Sequence, residues 1–241
     1  MDLNRAYHSI GTLGGGNHFI EVEKDTEGTL YLFIHSGSRN LGVGVCSYYQ
    51  KRAQQLMKEA GKDYVHRDLA WLEGPLFEDY LNDMEITQRY ASHNRDVMLQ
   101  TLTEKMNLTC EKIVETAHNY IDTKNRILRK GAVSAQKGEL LVVPLNMRDG
   151  TLLCRGKGNP DWNYSAPHGA GRILSRTKAR ELLEMREFVQ SMNNVYSTSV
   201  SKKTLDEAPQ AYKSKAEILQ AIEPTAEVLA VLQPMYNFKA P

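Results

Sequence analysis

The stretch GTLGGGNHFIEVE, Gly11 to Glu23, decides how the rest of the chain is read. Three consecutive glycines, Gly14 to Gly16, precede Asn17 and His18, and an alternating segment follows. Glycine reaches backbone conformations closed to other residues and lets a ligand come close to the main chain. Phe19, Ile20 and Val22 read as strand, with Glu21 and Glu23 on one face and Ile20 and Val22 on the other. His18 thus stands where a donor-rich loop meets a rigid element, a place suited to a ligand or a metal. A tight turn carrying a surface histidine is the plainer reading, and both fit this stretch.

Working outward, residues 10 to 45 read as a hairpin. The strand after Gly16 meets a turn around Asp25 to Gly28, and TLYLFIHSGSRNLG follows, with Leu30 to Ile34 apolar enough for a buried strand. That run stops at His35, where Ser36, Gly37, Ser38 and Arg39 form a second small-residue loop. Residues 47 to 107 are rich in helix formers and poor in breakers, which predicts helix. Residues 108 to 175 read as short strands broken by glycine and proline: ILRKGAVSA, ELLVVPLNMRDG and TLLCRGKGN. A further helix is predicted from Ser175 to Glu187, and the last fifty residues read as mixed helix and loop. No internal repeat or low-complexity tract is present.

Composition narrows the function classes. The chain has 241 residues, 41% hydrophobic and 24% charged, with a net charge of +1, enough for one large domain or two small ones. Its 30 basic and 29 acidic residues exclude a general polyanion binder, so any nucleic-acid site is a local patch. The odd, widely spaced set Cys46, Cys110 and Cys154 points to a reducing compartment rather than a disulfide framework. No apolar run has the length of a membrane span, and the first residues lack a signal peptide's pattern, so the cytoplasm is expected.

Four of the seven histidines share a local style. His18 follows three glycines and an asparagine, His35 ends an apolar strand, His118 lies in AHNY, and His168 lies in APHGAGR. Imidazole is a common transition-metal ligand whose second nitrogen needs a fixed hydrogen bond, and neighbouring asparagines can supply one. No two of them have the i, i+4 spacing of a helical zinc motif. Each is individually more consistent with an incidental role; the recurrence at element ends is what points to a site. Arg39, Lys130, Arg148 and Arg172 each lie beside glycine or another small residue, in the manner of phosphate-binding loops, although solvated surface charge explains any one of them.

The motifs GTLGGGNHFIEV, HSGSRNLG, AHNY, RKGAVSA and APHGAGRILSR, in that order, resemble the RtcB family of RNA ligases, and the likeness runs from Gly11 to YNFKA. PLNMRDG resembles the branch of the family that carries this sequence in place of a PGSMG-type loop. The resemblance implies an α+β fold with RtcB-like mixed sheets and peripheral helices. It implies one catalytic domain over residues 1–241 that lacks the N-terminal part of the family fold.

The implied reaction joins RNA ends bearing a 3′-phosphate or 2′,3′-cyclic phosphate to a 5′-hydroxyl, with GTP and Mn(2+), in tRNA splicing or RNA repair. By residue-by-residue matching, His168 is the nucleophile that takes GMP, and His18, His35 and His118 are metal ligands. Asn17, Glu21, Asn119, Asn146, Thr151, Gly169, Ala170, Gly171, Tyr212 and Lys239 are implied to contact GMP, with Tyr212 stacking on guanine and Lys239 reaching the base. Arg39, Lys130 and Arg172 are implied to hold RNA or nucleotide phosphates.

The family also carries a DxGCG-like segment whose aspartate and cysteine complete the metal site, and none of the three cysteines here lies in that context. The implied partners are therefore RNA (tRNA halves or broken RNA), a separate N-terminal segment supplying the two ligands, and an archease-type activator. The expectation is that the 241-residue chain alone does not join RNA. The alternatives are an inactive or split fragment acting as a nucleotide- or RNA-binding module, and a metal-dependent phosphoesterase, against which stands the lack of a carboxylate-rich ligand set.

Overall fold

The computed structural model describes residues 2–240, which divide into two compact units, residues 2–12 with 36–108 and residues 13–35 with 109–240. The first unit is helical: α1 (Leu3–Ser9), α2 (Arg39–Glu59) and α3 (Pro75–Met106). Helix α2 buries Leu41, Val45, Tyr49, Ala53 and Met57, one residue in four, so a single apolar stripe faces inward. The Tyr49 hydroxyl donates to Asp83 on α3 at 2.8 Å. Pro75 stands in the first turn of α3, where its missing N–H costs nothing, and Asn107 closes the helix in the left-handed conformation.

Helix was predicted over 47 to 107. It begins earlier, at Arg39, and breaks between Gly61 and Gly74, both at positive φ. Among the described residues no helix is long and apolar enough to cross a membrane.

The second unit is mainly strand: β1 (Phe19–Lys24), β2 (Leu30–His35), β3 (His118–Asp122), β4 (Ile127–Ser134), β5 (Leu140–Asn146), β6 (Gly150–Gly156), β7 (Ser165–Pro167), β8 (Tyr196–Ser197) and β9 (Ala226–Phe238). The larger sheet runs β2-β1-β9-β6-β5, antiparallel throughout, with β8 pairing parallel to β9. The smaller sheet is β3-β4-β7, also antiparallel. Helices α4 (Arg176–Leu182), α5 (Met185–Ser191) and α6 (Lys215–Ile222) complete the unit, giving the expected α+β class. Val133, Leu141, Val143, Leu152 and Cys154 form the main core with Ile218 and Ile222 of α6.

The predicted hairpin is present. Asp25 Oδ1 accepts from the Glu27 and Thr29 amides at 2.9 Å each, and Gly28 takes φ +90 to complete the turn. Its second strand is not buried, however. β2 is the outer strand of the sheet, and its residues are half-buried to exposed. The predicted helix over 175–187 is two short helices separated at Leu183 and Glu184.

The largest departure is β9, thirteen residues in a region read as helix and loop, which lies between β1 and β6. Its Ala, Glu, Leu, Gln and Met content favours helix, and Pro234 argues against a central strand. Pairing on both edges overrides these preferences, and Pro234 sits opposite Glu23 where the register slips, so its missing N–H interrupts no regular ladder position. Gly150 explains the glycine of NMRDG: a Cβ there would lie 2.0 Å from the Leu232 carbonyl oxygen of β9.

Candidate active site

Four histidines from distant parts of the sequence form a row within the strand unit. His18 precedes β1, and His35 ends β2 opposite Phe19. His118 opens β3 opposite Val133, and His168 follows β7. Ring centres are 5.8 Å apart for His18 and His35, 5.2 Å for His35 and His118, and 5.1 Å for His118 and His168. The hairpin supplies two members and the small sheet the other two.

Local sequence explains each placement. The His18 Nδ1 lies 2.7 Å from the Leu13 carbonyl, an acceptor only, so Nδ1 carries the proton and Nε2 the lone pair. His35 stays neutral: burial, and then the neighbouring His118 and His18, push its pKa down to about 3. Asn119 takes φ +57 at an irregularity of the β3–β4 ladder and accepts the Gly131 amide on Oδ1 at 2.7 Å. Gly131 in turn lies against the His168 ring, where an added Cβ would stand 3.6 Å from two ring atoms. The amide of His168 donates to the Gly131 carbonyl, and that of Ala170 donates to the Pro144 carbonyl at 3.0 Å. The HGAG turn is therefore fastened on both sides.

Neighbouring rings this close allow two imidazole nitrogens to reach one ion at about 2 Å each. The donor chemistry fits a divalent transition metal, since His35 is neutral and the His18 tautomer is set. Among the described residues no three His, Cys, Asp or Glu side chains are already drawn together as a cage. Cys46, Cys110 and Cys154 are free thiols, and burial raises that of Cys154 to about 12.

Beside this row, β1 turns its acids inward. Phe19, Glu21 and Glu23 are buried, while Ile20 and Val22 are half-exposed. Glu21 faces Asn237 of β9. Burial, and then the charge of Glu23, raise the Glu21 carboxyl well above its ordinary range, against a hydrogen bond from Asn237 and the charge of Lys239. Glu23 accepts the Thr151 hydroxyl at 2.8 Å, and burial pushes its pKa up to about 8. Three buried oxygens here have no protein partner: Glu21 Oε1, Glu23 Oε2 and Asn237 Oδ1. Carboxyls raised in this way retain protons, so the cluster presents both O–H donors and acceptors to its surroundings.

The other predicted residues divide by role. Lys239, Tyr212 and Arg172 converge on Glu207, a buried residue that the sequence reading passed over. The Lys239 ammonium lies 5.4 Å from the Phe19 ring centre, and that ring is 5.0 Å from His35. Arg172 is thus held in an ion pair with Glu207.

Thr151 is fully buried beneath Glu23. Asn146 is engaged in the β5–β6 turn, where its Oδ1 accepts the Arg148 and Asp149 amides at 3.0 Å each. Arg148 pairs with Asp149. Asn17 and Lys130 are exposed, and Gly169 and Gly171 flank the buried Ala170. Arg39 belongs to the helical unit, at φ +52 in the first turn of α2, with its Nε 3.3 Å from Thr12 Oγ1. The available signal for Glu207 was its acidic pair with Asp206, five residues before the Tyr212 already singled out.

Fold and site define an α+β protein with a histidine-lined, acid-backed site in its strand unit. The family model described as tRNA-splicing ligase RtcB matches residues 2–240, and the chain belongs to that family. A protein named RNA-splicing ligase RtcB, from Escherichia coli (strain K12), is 36% identical over an alignment of 235 positions that covers 89% of this chain and 57% of that relative. A tRNA-splicing ligase RtcB from Aeropyrum pernix is 28% identical over an alignment of 269 positions that covers 90% of this chain and 56% of the relative. The chain thus spans less than two thirds of the length of these relatives.

Proposed function

We propose that this chain carries the nucleotidyl-transfer site of an RNA ligase that uses GTP and Mn(2+) to join 3′-phosphate or 2′,3′-cyclic phosphate ends to 5′-hydroxyl ends, in tRNA splicing or RNA repair in the cytoplasm. The observation that carries the reading is the row of four imidazoles, with His168 at its end, in a chain matched along its length by one ligase family. A lone pair of the His168 imidazole attacks the α-phosphorus of GTP, the bond to the β-phosphate oxygen breaks, and pyrophosphate leaves. Water opens a 2′,3′-cyclic end to the 3′-phosphate by breaking the bond to the 2′-oxygen, and the RNA 3′-phosphate then displaces the imidazole from phosphorus and takes up GMP. The 5′-hydroxyl attacks the activated 3′-phosphate, and GMP departs. Splitting the transfer in two lowers each barrier.

His18, His35 and His118 would hold the metal, whose charge offsets that of the phosphates. Gly131 leaves the His168 ring open, and Asn119 keeps Gly131 in place. Glu21 offers a buried acceptor to the N–H edge of guanine, with Tyr212 and Lys239 completing the base site. RNA is the macromolecular partner. The aspartate and cysteine that the family resemblance adds, and an archease-type activator, belong to the same proposal.

Incubation with α-labelled GTP and manganese, with and without a DxGCG-type segment in trans, should label the protein through an acid-labile, alkali-stable bond. His168→Ala should remove the label. Full labelling of that variant moves the nucleophile elsewhere. GMP or RNA binding without label identifies a binding module, and phosphate release without label a phosphoesterase.

A further inference from the structure

We infer that Glu207 is the positioning residue of the nucleotide site: its single carboxylate holds the Lys239 ammonium and the Tyr212 ring in the arrangement that receives a purine base. The inference rests on the reading above, in which those two side chains meet GMP.

The residues come from separate places. Glu207 ends a short 3-10 turn at Lys202–Glu207, Tyr212 follows the next turn, and Lys239 lies just past β9. Glu207 Oε2 accepts both the Tyr212 hydroxyl at 2.7 Å and the Lys239 ammonium at 3.0 Å. Its Oε1 faces Arg172 Nη1 at 3.2 Å and Arg176 Nη1 at 2.8 Å. A carboxylate offers about four lone-pair sites, so these four donors occupy them all. Glu207 has nothing left to give a ligand and acts only through its neighbours.

Each neighbour depends on it. Lys239 is buried, and a buried ammonium without its anion is left uncompensated. The Tyr212 hydroxyl also accepts from Arg172 at 3.2 Å, so two contacts fix the tilt of its ring. Ser199 Oγ accepts the Lys239 amide at 2.8 Å and donates to its carbonyl at 3.0 Å, which fixes the main chain but leaves the ammonium to Glu207. Across the cluster, among the described residues, Arg172, Arg176, Arg180 and Lys239 pair with Asp206 and Glu207. The surplus positive charge suits an electron-rich ligand such as a base carbonyl or a phosphate.

Glu207→Gln keeps the shape but faces one pair of donors with its own NH2. In the full 241-residue chain it should weaken GMP binding, measured by calorimetry with manganese, about tenfold or more, as for loss of a charged hydrogen bond. Half-maximal labelling should need a similarly higher GTP concentration, while the labelling rate at saturating GTP changes little. Tyr212→Phe keeps the ring and removes the link; it should weaken GMP about threefold alone and add nothing in the Glu207→Gln background, because both act through one contact.

GMP affinity unchanged by Glu207→Gln, or additive losses in the double variant, overturns the inference. If Glu207→Gln loses its native circular dichroism, Tyr212→Phe decides alone, and unchanged affinity overturns it. Wild-type chain that binds GMP without being labelled defeats the histidyl-transfer reading and leaves Glu207 to the binding measurements. Wild-type chain that binds no GMP even with a DxGCG-type segment supplied in trans defeats both.

Discussion

Two buried polar clusters, one in each unit, are built on opposite terms. In the helical unit Asn94 is fully buried on α3, and its side chain is saturated. Its Oδ1 accepts the Gly11 and Thr12 amides at 2.8 and 3.1 Å, and its Nδ2 donates to Thr12 O, Ser36 Oγ and Gly37 O at 3.0 to 3.3 Å. In the strand unit Glu21, Glu23 and Asn237 are equally buried, yet each keeps an oxygen without a protein partner. A buried acceptor costs free energy unless something satisfies it. The saturated cluster is complete as protein, whereas the open one keeps hydrogen-bonding capacity that a bound water or ligand can use. Burial is the same in both, and the difference between them lies in the hydrogen bonds left unmet.

The sharpest break of this contrast is at the reacting group. His168→Ala should lower GTP-dependent labelling below detection while the melting temperature stays near wild type, since His168 is only half-buried in an open turn. A melting temperature that collapses along with the label would make His168 a structural residue.

Next comes the saturated cluster. Asn94→Ala leaves several buried backbone groups unmatched and should cost about 3 kcal/mol of stability, by the usual penalty for such groups. Chemical denaturation checks the loss, and GMP affinity, read where the variant remains folded, should not move. The converse change, Glu21→Gln, should leave stability unchanged or higher and weaken GMP binding. An Asn94 variant that loses nucleotide and a Glu21 variant that does not would erase the distinction.

The open cluster also predicts a pH dependence. Glu23 titrates near 8 when folded against an ordinary value of 4.5, so the folded state binds the extra proton between those values. Its contribution is complete below about pH 4.5, falls as pH rises toward 8, and is flat above. His35 works in the other direction: with its pKa lowered from 6.5 to about 3, its penalty fades as pH rises through that range. The interval from about 6.5 to 8 therefore isolates the acids. Without added metal, the melting temperature should drop across it, and Glu23→Gln should flatten the drop, with Glu21 leaving a residual slope. An equal slope in the variant removes Glu23 from the account.

The smallest effect should come from Thr151→Val, which deletes the hydroxyl's hydrogen bond to Glu23 at nearly constant volume and leaves the one from the Thr151 main chain. It should cost about 1 kcal/mol in denaturation and push the Glu23 titration still higher, because the bond favours the charged form.

Much of the site was legible before any coordinates. The glycine run, the hairpin turn at Asp25 to Gly28 and the histidines at element ends are local signals, each set by one residue's backbone freedom or side-chain chemistry. The family motifs carried the rest of the residue list. Cys46, Cys110 and Cys154 read correctly as unpaired from their spacing.

What the sequence determined by itself was which residues are chemically equipped: four imidazoles, a set of polar side chains, and the turns that present them. Only the tertiary structure decided their environment. β9 is a central strand because β1 and β6 pair with it on both sides, against its own helical leaning. The alternation of β1 shows two faces, but only the sheet's packing made the acidic face the inner one. Glu207 became the meeting point of Arg172, Tyr212 and Lys239 through contacts spanning up to 35 residues of sequence. Local periodicity and propensity report on neighbours along the chain, while burial, pairing and charge compensation depend on neighbours in space.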